Sequence, residues 1–260
     1  MQRTVIDQMG REVTFNYYPE RIVSVVPSQT ELLYDLGLDK EVIGITKFCV
    51  HPDEWFRNKT RVGGTKKLDI EKIRSLKPDL IIANKEENTQ EQIEELAKEF
   101  PVWISDITNL PGALNMIQAL GQVTGMEGKA NKLVEEIVQG FNELHKANAP
   151  KRVAYFIWRN PWMSIGNDTF IHSMIHFMGW QNVLAGARRY PEITLEELKE
   201  YNPELILLSS EPFPFKEEHI AEVKAVLPDV QVMLVDGEMF SWYGSRLKKA
   251  IAYLQELAAR

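Results

Sequence analysis

Glu86 and Glu211 fall at the same place in two copies of one sequence pattern, and so do Glu71 and Glu196. Carboxylates repeated in this way could bind a cation or pair with a guanidinium. With His51 and Glu238, the first two offer the oxygen and nitrogen donors that suit Zn, Mn or Fe held directly. His172 and His176 are spaced i, i+4, as on one helix face, a second arrangement open to a metal. The text around them, FIHSMIHFMG, is largely apolar and fits packed or half-exposed rings better. Trp158, Trp162 and Trp242 supply the flat surface that a macrocycle or a catecholate needs. Arg246 could clamp an anionic group, or close a salt bridge with Glu238 or Asp236. No nucleophile–base pair, glycine-rich phosphate loop or paired-acid arrangement stands out, so no catalysis and no intrinsic cofactor are expected.

The two copies run Leu68 to Glu87, LDIEKIRSLKPDLIIANKEE, and Ile193 to Pro212, ITLEELKEYNPELILLSSEP. In each, a Glu (Glu71, Glu196) opens an amphipathic helix and a Pro follows seven residues later (Pro78, Pro203). The proline ring disfavours helical geometry at the residue before it and ends the helix. The short apolar runs Leu80–Ala83 and Leu205–Leu208 suit strands covered on both faces, and the second Glu follows each. Two similar α/β lobes are therefore expected, with a cleft between them.

Around these copies the chain alternates strands and helices, which implies parallel sheets. A hairpin is expected near Gly10, then a strand Ile22–Val26. A helix follows in which Ser28 caps and Glu31 is the capping-box partner, stopping at Gly37. Strands follow at Val42–Ile45 and Val102–Ile104 with a helix Gln90–Phe100 between them. The second half offers a strand Arg152–Trp158 and helices Phe170–Met178, Leu195–Tyr201 and Lys216–Val226. It closes with a strand Val230–Val235 and a helix Gly244–Ala258. Between the halves, apolar residues recur at Ala130, Leu133, Val134, Ile137, Val138, Phe141 and Leu144, the period of one long helix over Glu127 to Ala147, with Asn148-Ala149-Pro150 beyond it. The resulting plan is two parallel-sheet lobes, residues 1–110 and 151–260, joined by a helical spine over 111–150.

A formal net charge of −7 and a pI near 5.4 argue against nucleic acid, whose binders present a basic face. No run reaches the roughly 18 apolar residues of a membrane span. Cys49, the only cysteine, leaves no disulfide and reads as a small buried residue. The opening MQRTVIDQMG has one basic residue and no apolar core. The protein is thus expected to be periplasmic if a signal was trimmed, cytoplasmic if Met1 is the native start, and a monomer.

The text ERIVSVVPSQTELLYDLGL at Glu20–Leu38, the repeated pattern and the single helix between lobes together resemble the substrate-binding proteins of ABC importers for metal chelates: cobalamin, haem and ferric siderophores. The resemblance implies that Glu71 and Glu196, one per lobe, dock into arginines of a membrane permease. It also places Tyr190 in the pocket. Ligands of open parallel sheets sit beyond the carboxyl ends of the strands. The first lobe then offers Ser28, Phe48, His51, Thr65, Asn84 and Glu86. The second offers Trp158, Arg159, Trp162, Glu211, Glu238, Trp242, Tyr243 and Arg246. Thr65 and Asn84 stand where cobalamin-binding members carry tryptophan, and Trp242 stands at an arginine position, which disfavours cobalamin within the class. The expected function is capture of a metal chelate for ABC-importer uptake. The alternatives are a cytosolic metal-chelate carrier or sensor, and a chelatase-like enzyme using His51, Glu86 and Glu211.

Overall fold

The runs after the two repeated prolines, Leu80–Asn84 and Leu205–Ser209, are buried at every residue, as strands flanked by strands and covered by helices must be. The computed structural model describes residues 2–145 and 150–259. In chain order the first elements are β1 (Gln2–Ile6), β2 (Glu12–Asn16), β3 (Ile22–Ser24), α1 (Pro27–Asp35), β4 (Val42–Ile45) and α2 (Asp53–Asn58). Then come β5 (Thr60–Arg61), β6 (Gly63–Gly64), β7 (Lys67–Leu68), α3 (Ile70–Leu76), β8 (Leu80–Asn84), α4 (Gln90–Ala97) and β9 (Val102–Ser105). Two consecutive helices follow, α5 (Leu110–Thr124) and α6 (Glu127–Glu143). The second half carries β10 (Arg152–Trp158), β11 (Met163–Ser164), α7 (Phe170–Phe177), β12 (Gln181–Asn182) and α8 (Leu195–Leu198), the last tightening into a 3-10 turn at Lys199–Tyr201. It ends with β13 (Leu205–Ser209), α9 (Glu217–Val226), β14 (Gln231–Val235), α10 (Glu238–Ser241) and α11 (Leu247–Ala258).

The chain divides into two compact units. Unit 1 holds the chain up to Ile107, with Pro111–Glu136 and Tyr243–Arg246; unit 2 holds Thr108–Leu110, Ile137–Trp242 and the chain from Leu247. The sheet of unit 1 has the order β5-β4-β3-β8-β9, every pair parallel, beside the hairpins β1/β2 and β6/β7. Val23, Ile73, Ile81, Ile93, Leu96 and Val102 form one core of this unit. The sheet of unit 2 has the order β11-β10-β13-β14 with β12 also on β10, and only β11 runs antiparallel. One core there gathers Ala154, Phe156, Leu198, Ile206, Leu208 and Val223.

The repeated pattern is repeated in conformation as well. Asp69 caps α3 by accepting from the Lys72 N–H at 3.0 Å; Thr194 caps α8 by accepting from the Glu197 N–H at 3.1 Å and completes a capping box with Glu197. Both helical segments end on a left-handed residue, Lys77 at φ 49° and Asn202 at φ 44°. Arg21 donates to the carbonyls of Leu76 and Lys77, and Arg152 to the matching carbonyls of Tyr201 and Asn202. Asp79 accepts the Arg21 N–H, and Glu204 the Arg152 N–H, each at 2.8 Å. Each strand is thus tied by an arginine and a carboxylate to the helix end beside it. Lysine tolerates the left-handed region less well than asparagine. Lys77→Gly should therefore raise stability by about 0.5–1 kcal/mol and Asn202→Gly by less, as read from urea midpoints.

Between the halves two helices stand where one was expected. On α5 Ala113, Met116, Ile117, Leu120 and Val123 are buried. It crosses α6 so closely that a Cβ on Gly121 would lie 2.3 Å from the Ala130 Cβ. Helix α6 stops at Glu143, short of the expected Ala147, which with Asn148 and Ala149 lies outside the described residues. It buries Ala130, Leu133, Ile137 and Phe141, but Val138 faces outward. The boundary between the units falls within it, after Glu136.

Candidate functional site

At the carboxyl ends of the unit 1 strands, α1 begins at Pro27, whose fixed φ suits a first helical position, and no side chain caps it. Ser28 is therefore inside the helix and buried, and the expected Ser28–Glu31 capping box does not form. Glu31 instead accepts Arg246 through both oxygens, Nε at 2.7 Å and Nη2 at 2.8 Å. Both side chains are almost fully buried, at 5% and 6% exposure. Arg246 and the buried Tyr243 thus belong to unit 1, although both were expected in the second lobe, and Glu31 is a carboxylate that faces Arg246. Gly244 permits this return, since a Cβ there would sit 3.0 Å from the Ser28 carbonyl oxygen.

Asn84 is buried at the end of β8, and its polar atoms are engaged internally. Its amide donates to the Ser105 Oγ at 3.0 Å, and its oxygen accepts the N–H groups of Glu86 and Glu87 at 2.8 and 3.0 Å. It shapes the turn that carries Glu86, and does not present an amide to a ligand. Ser209 at the matched position of β13 does the same for Glu211, accepting its N–H at 3.3 Å. Thr65 is buried, with its carbonyl accepting Asn88 at 3.2 Å. Glu86 and His51 are half-buried, and burial pushes the neighbouring Glu87 carboxyl up, opposed by Lys66 and reinforced by Glu86. Phe48 is 50% exposed after β4, with the Lys47 ammonium 5.0 Å from its ring centre. Cys49 is buried between Thr30 and Thr46, and burial pushes its thiol up.

In unit 2 the ends of β10 and β13 are lined with rings. Trp158, 40% exposed, lies edge-on to Phe213 at 5.8 Å; Phe213 meets Phe215 at 4.8 Å; Phe215 stacks on Trp162 at 5.5 Å. Arg159 forks onto Glu222 with two contacts of 2.7 Å while lying 5.9 Å from the Trp162 ring centre. Tyr190 is half-buried beneath the Arg189 guanidinium. Trp242 is only 7% exposed and donates to the Glu211 Oε1 at 3.0 Å; the same oxygen accepts Ser241 at 2.5 Å. Trp242 therefore positions Glu211, and the open ring is that of Trp158. Glu238 is half-buried, its N–H donating to Asp236 at 3.1 Å. Phe213 and Phe215 were missed in the sequence, though the FPF text directly after a strand was the signal for them.

Among the described residues, no three or more His, Cys, Asp or Glu side chains come together in a way that could hold a metal ion. Of the residues expected to hold a metal directly, His51 and Glu86 lie in unit 1 and Glu211 in unit 2. His172 is half-buried beside Asn182 at 3.3 Å and His176 is exposed; burial, then the neighbouring His176, hold the His172 imidazole below its usual range. A neutral, packed ring is what the apolar text implied.

Glu71 and Glu196 both occupy the second position of a side-chain-capped helix and both are exposed. There the helix dipole favours a carboxylate. Glu196 also borders a groove of about 440 Å³ lined by Trp162, Ile193, Glu222 and Val226.

A family model described as periplasmic binding protein matches residues 22–229, from the start of β3 to the turn before β14. An uncharacterised ABC transporter substrate-binding lipoprotein of Bacillus subtilis is 27% identical, over 97% of this chain and 84% of that protein. A vitamin B12-binding protein of Yersinia pestis is 27% identical over 73% of this chain and 69% of its own. Among solved structures, the periplasmic vitamin B12 binding protein of Vibrio cholerae is similar with a TM-score of 0.77 at 24% identity, covering 92% of this chain and 98% of that one. The periplasmic heme binding protein of the same organism gives 0.78 at 22% identity, over 91% and 98%. At such identities these structures establish the fold alone. With the family match spanning residues 22–229, most of the chain, the protein belongs to the periplasmic binding protein family.

Proposed function

We propose that this protein captures a metal chelate outside the cytoplasm and hands it to the permease of an ABC importer. The observation that carries the reading is the matched pair Glu71 and Glu196. Both are exposed and lie at the same position of the same capped helix, one in each unit, as a carrier needs for a partner that grips both halves. A carboxylate so placed forms charge-assisted, forked bonds with arginine. The relatives and structural neighbours named for vitamin B12, heme and Fe3+-hydroxamate supply the ligand class: corrinoid, haem or ferric siderophore. The exposed ring of Trp158 is a surface that a flat or aromatic chelate would cover. The metal then arrives inside its chelate, and the protein is a carrier, not an enzyme.

The test is a tryptophan-fluorescence titration with cyanocobalamin, haemin and a ferric hydroxamate, and with free divalent metals as controls. Saturable quenching by one chelate at 1:1 stoichiometry, weakened at least tenfold in Trp158→Ala, is the expected result. A response to free metal alone, or turnover of a porphyrin offered with a divalent metal, would sink the reading.

A further inference from the structure

The two helix-start carboxylates hold the same position but keep different electrostatic company. Arg74, one turn after Glu71, binds it through Nη1 at 2.5 Å. The same guanidinium reaches Glu95 at 2.8 Å and Glu99 at 2.6 Å, on and just beyond α4. Glu99 first, then Glu71, hold the Arg74 guanidinium more firmly protonated than usual, and Arg74 in turn holds the Glu99 carboxyl down. The residue matched to Arg74 in unit 2 is Lys199, in the 3-10 turn after α8. Among the described residues no ion pair joins Lys199 or any other cation to Glu196. The nearby Arg159 is already forked onto Glu222.

Resting on the reading of both residues as docking carboxylates, we propose that the two docking points are unequal. Glu196 is the standing anchor for an arginine of the permease, and Glu71 is a held point that the incoming arginine opens by displacing Arg74. Arg74 is thus a positioning residue that sets the strength of one of the two contacts. The displacement strands no charge, because Arg74 keeps Glu95 and Glu99 when it releases Glu71. Nor does it block docking: Glu71 is 82% exposed, and an exposed pair costs a competitor only about fivefold in affinity.

The inequality is readable without the permease. A tetra-arginine peptide is titrated into the full chain carrying 13C-labelled glutamate, and the side-chain carboxyl signals of Glu71 and Glu196 are followed separately. In the native protein Glu196 should half-saturate at about fivefold lower peptide concentration than Glu71. In Arg74→Gln the two should converge within about twofold, and Arg74→Lys, which keeps the charge but loses the fork, should fall between. Equal responses in the native protein, or a gap unchanged by Arg74→Gln, would overturn the inequality and leave the docking reading standing. Silence at both residues would overturn the docking reading together with it. Unchanged signals from the glutamates other than Glu71, Glu95 and Glu99, which Arg74 itself contacts, report that the Arg74 variants are folded.

Discussion

Arg246→Met should destabilise the protein by about 3–5 kcal/mol, the penalty of removing one partner from a buried ion pair. Glu31 would keep its place in α1 and lose two charge-assisted bonds of 2.7 and 2.8 Å. The loss is measured as the fall in the denaturant midpoint at constant slope. Adding Glu31→Leu to Arg246→Met should return most of the loss, because two well-packed apolar residues can replace a buried pair at little cost. A single-variant loss under 1 kcal/mol, or a double variant no better than the single, would show that the pair is solvated and the account wrong. Chelate titration of the same variants separates the roles. If Arg246 only braces α1, affinity should change far less than stability.

The second large effect concerns delivery. Reversing both charges, Glu71→Lys with Glu196→Lys, should cut chelate uptake by cells at least tenfold, since under the proposed docking each lysine would face a permease arginine with like charge. Chelate affinity measured on the purified protein should stay within about twofold, because both residues are exposed positions at the start of a capped helix. Uptake at the native level in the double variant would remove the docking role and leave a carrier that works without a permease.

What the sequence made legible were features whose causes are local. The proline after each repeated helix, the apolar run after it and the period of α6 depend on neighbours within a turn or two. The strand Arg152–Trp158 was accordingly placed to the residue. Two local signals were nonetheless misread. Pro27 at the first helical position moved the start of α1 ahead of the expected Ser28 cap, and the buried stripe Ala113, Met116, Ile117, Leu120, Val123 formed a separate helix, α5. The other misplacements have distant causes. Asn84 looked like a pocket residue because its engagement depends on Ser105 in the next strand, and Trp242 because Glu211 lies across from it in unit 2. Glu31 and Arg246 are 215 positions apart, and no pattern within one segment could have paired them. The clamps Arg21–Asp79 and Arg152–Glu204 escaped for the same reason, although their duplication was written in the chain.

The return of Tyr243–Arg246 to unit 1 bears on how such proteins can be recombined. Neither unit is one uninterrupted stretch of sequence, so a single crossover inside α6 would not exchange one unit for another. It would supply a new first half while keeping the old Tyr-Gly-Ser-Arg tetrapeptide, and Glu31 would inherit whichever residue the donor lineage had not selected to meet it. Inheritance of unit 1 as a working block requires residues up to Glu136 and that tetrapeptide to travel together. Chimeras built to trade ligand preference need breakpoints on both sides of Tyr243–Arg246 as well as the one in the helix.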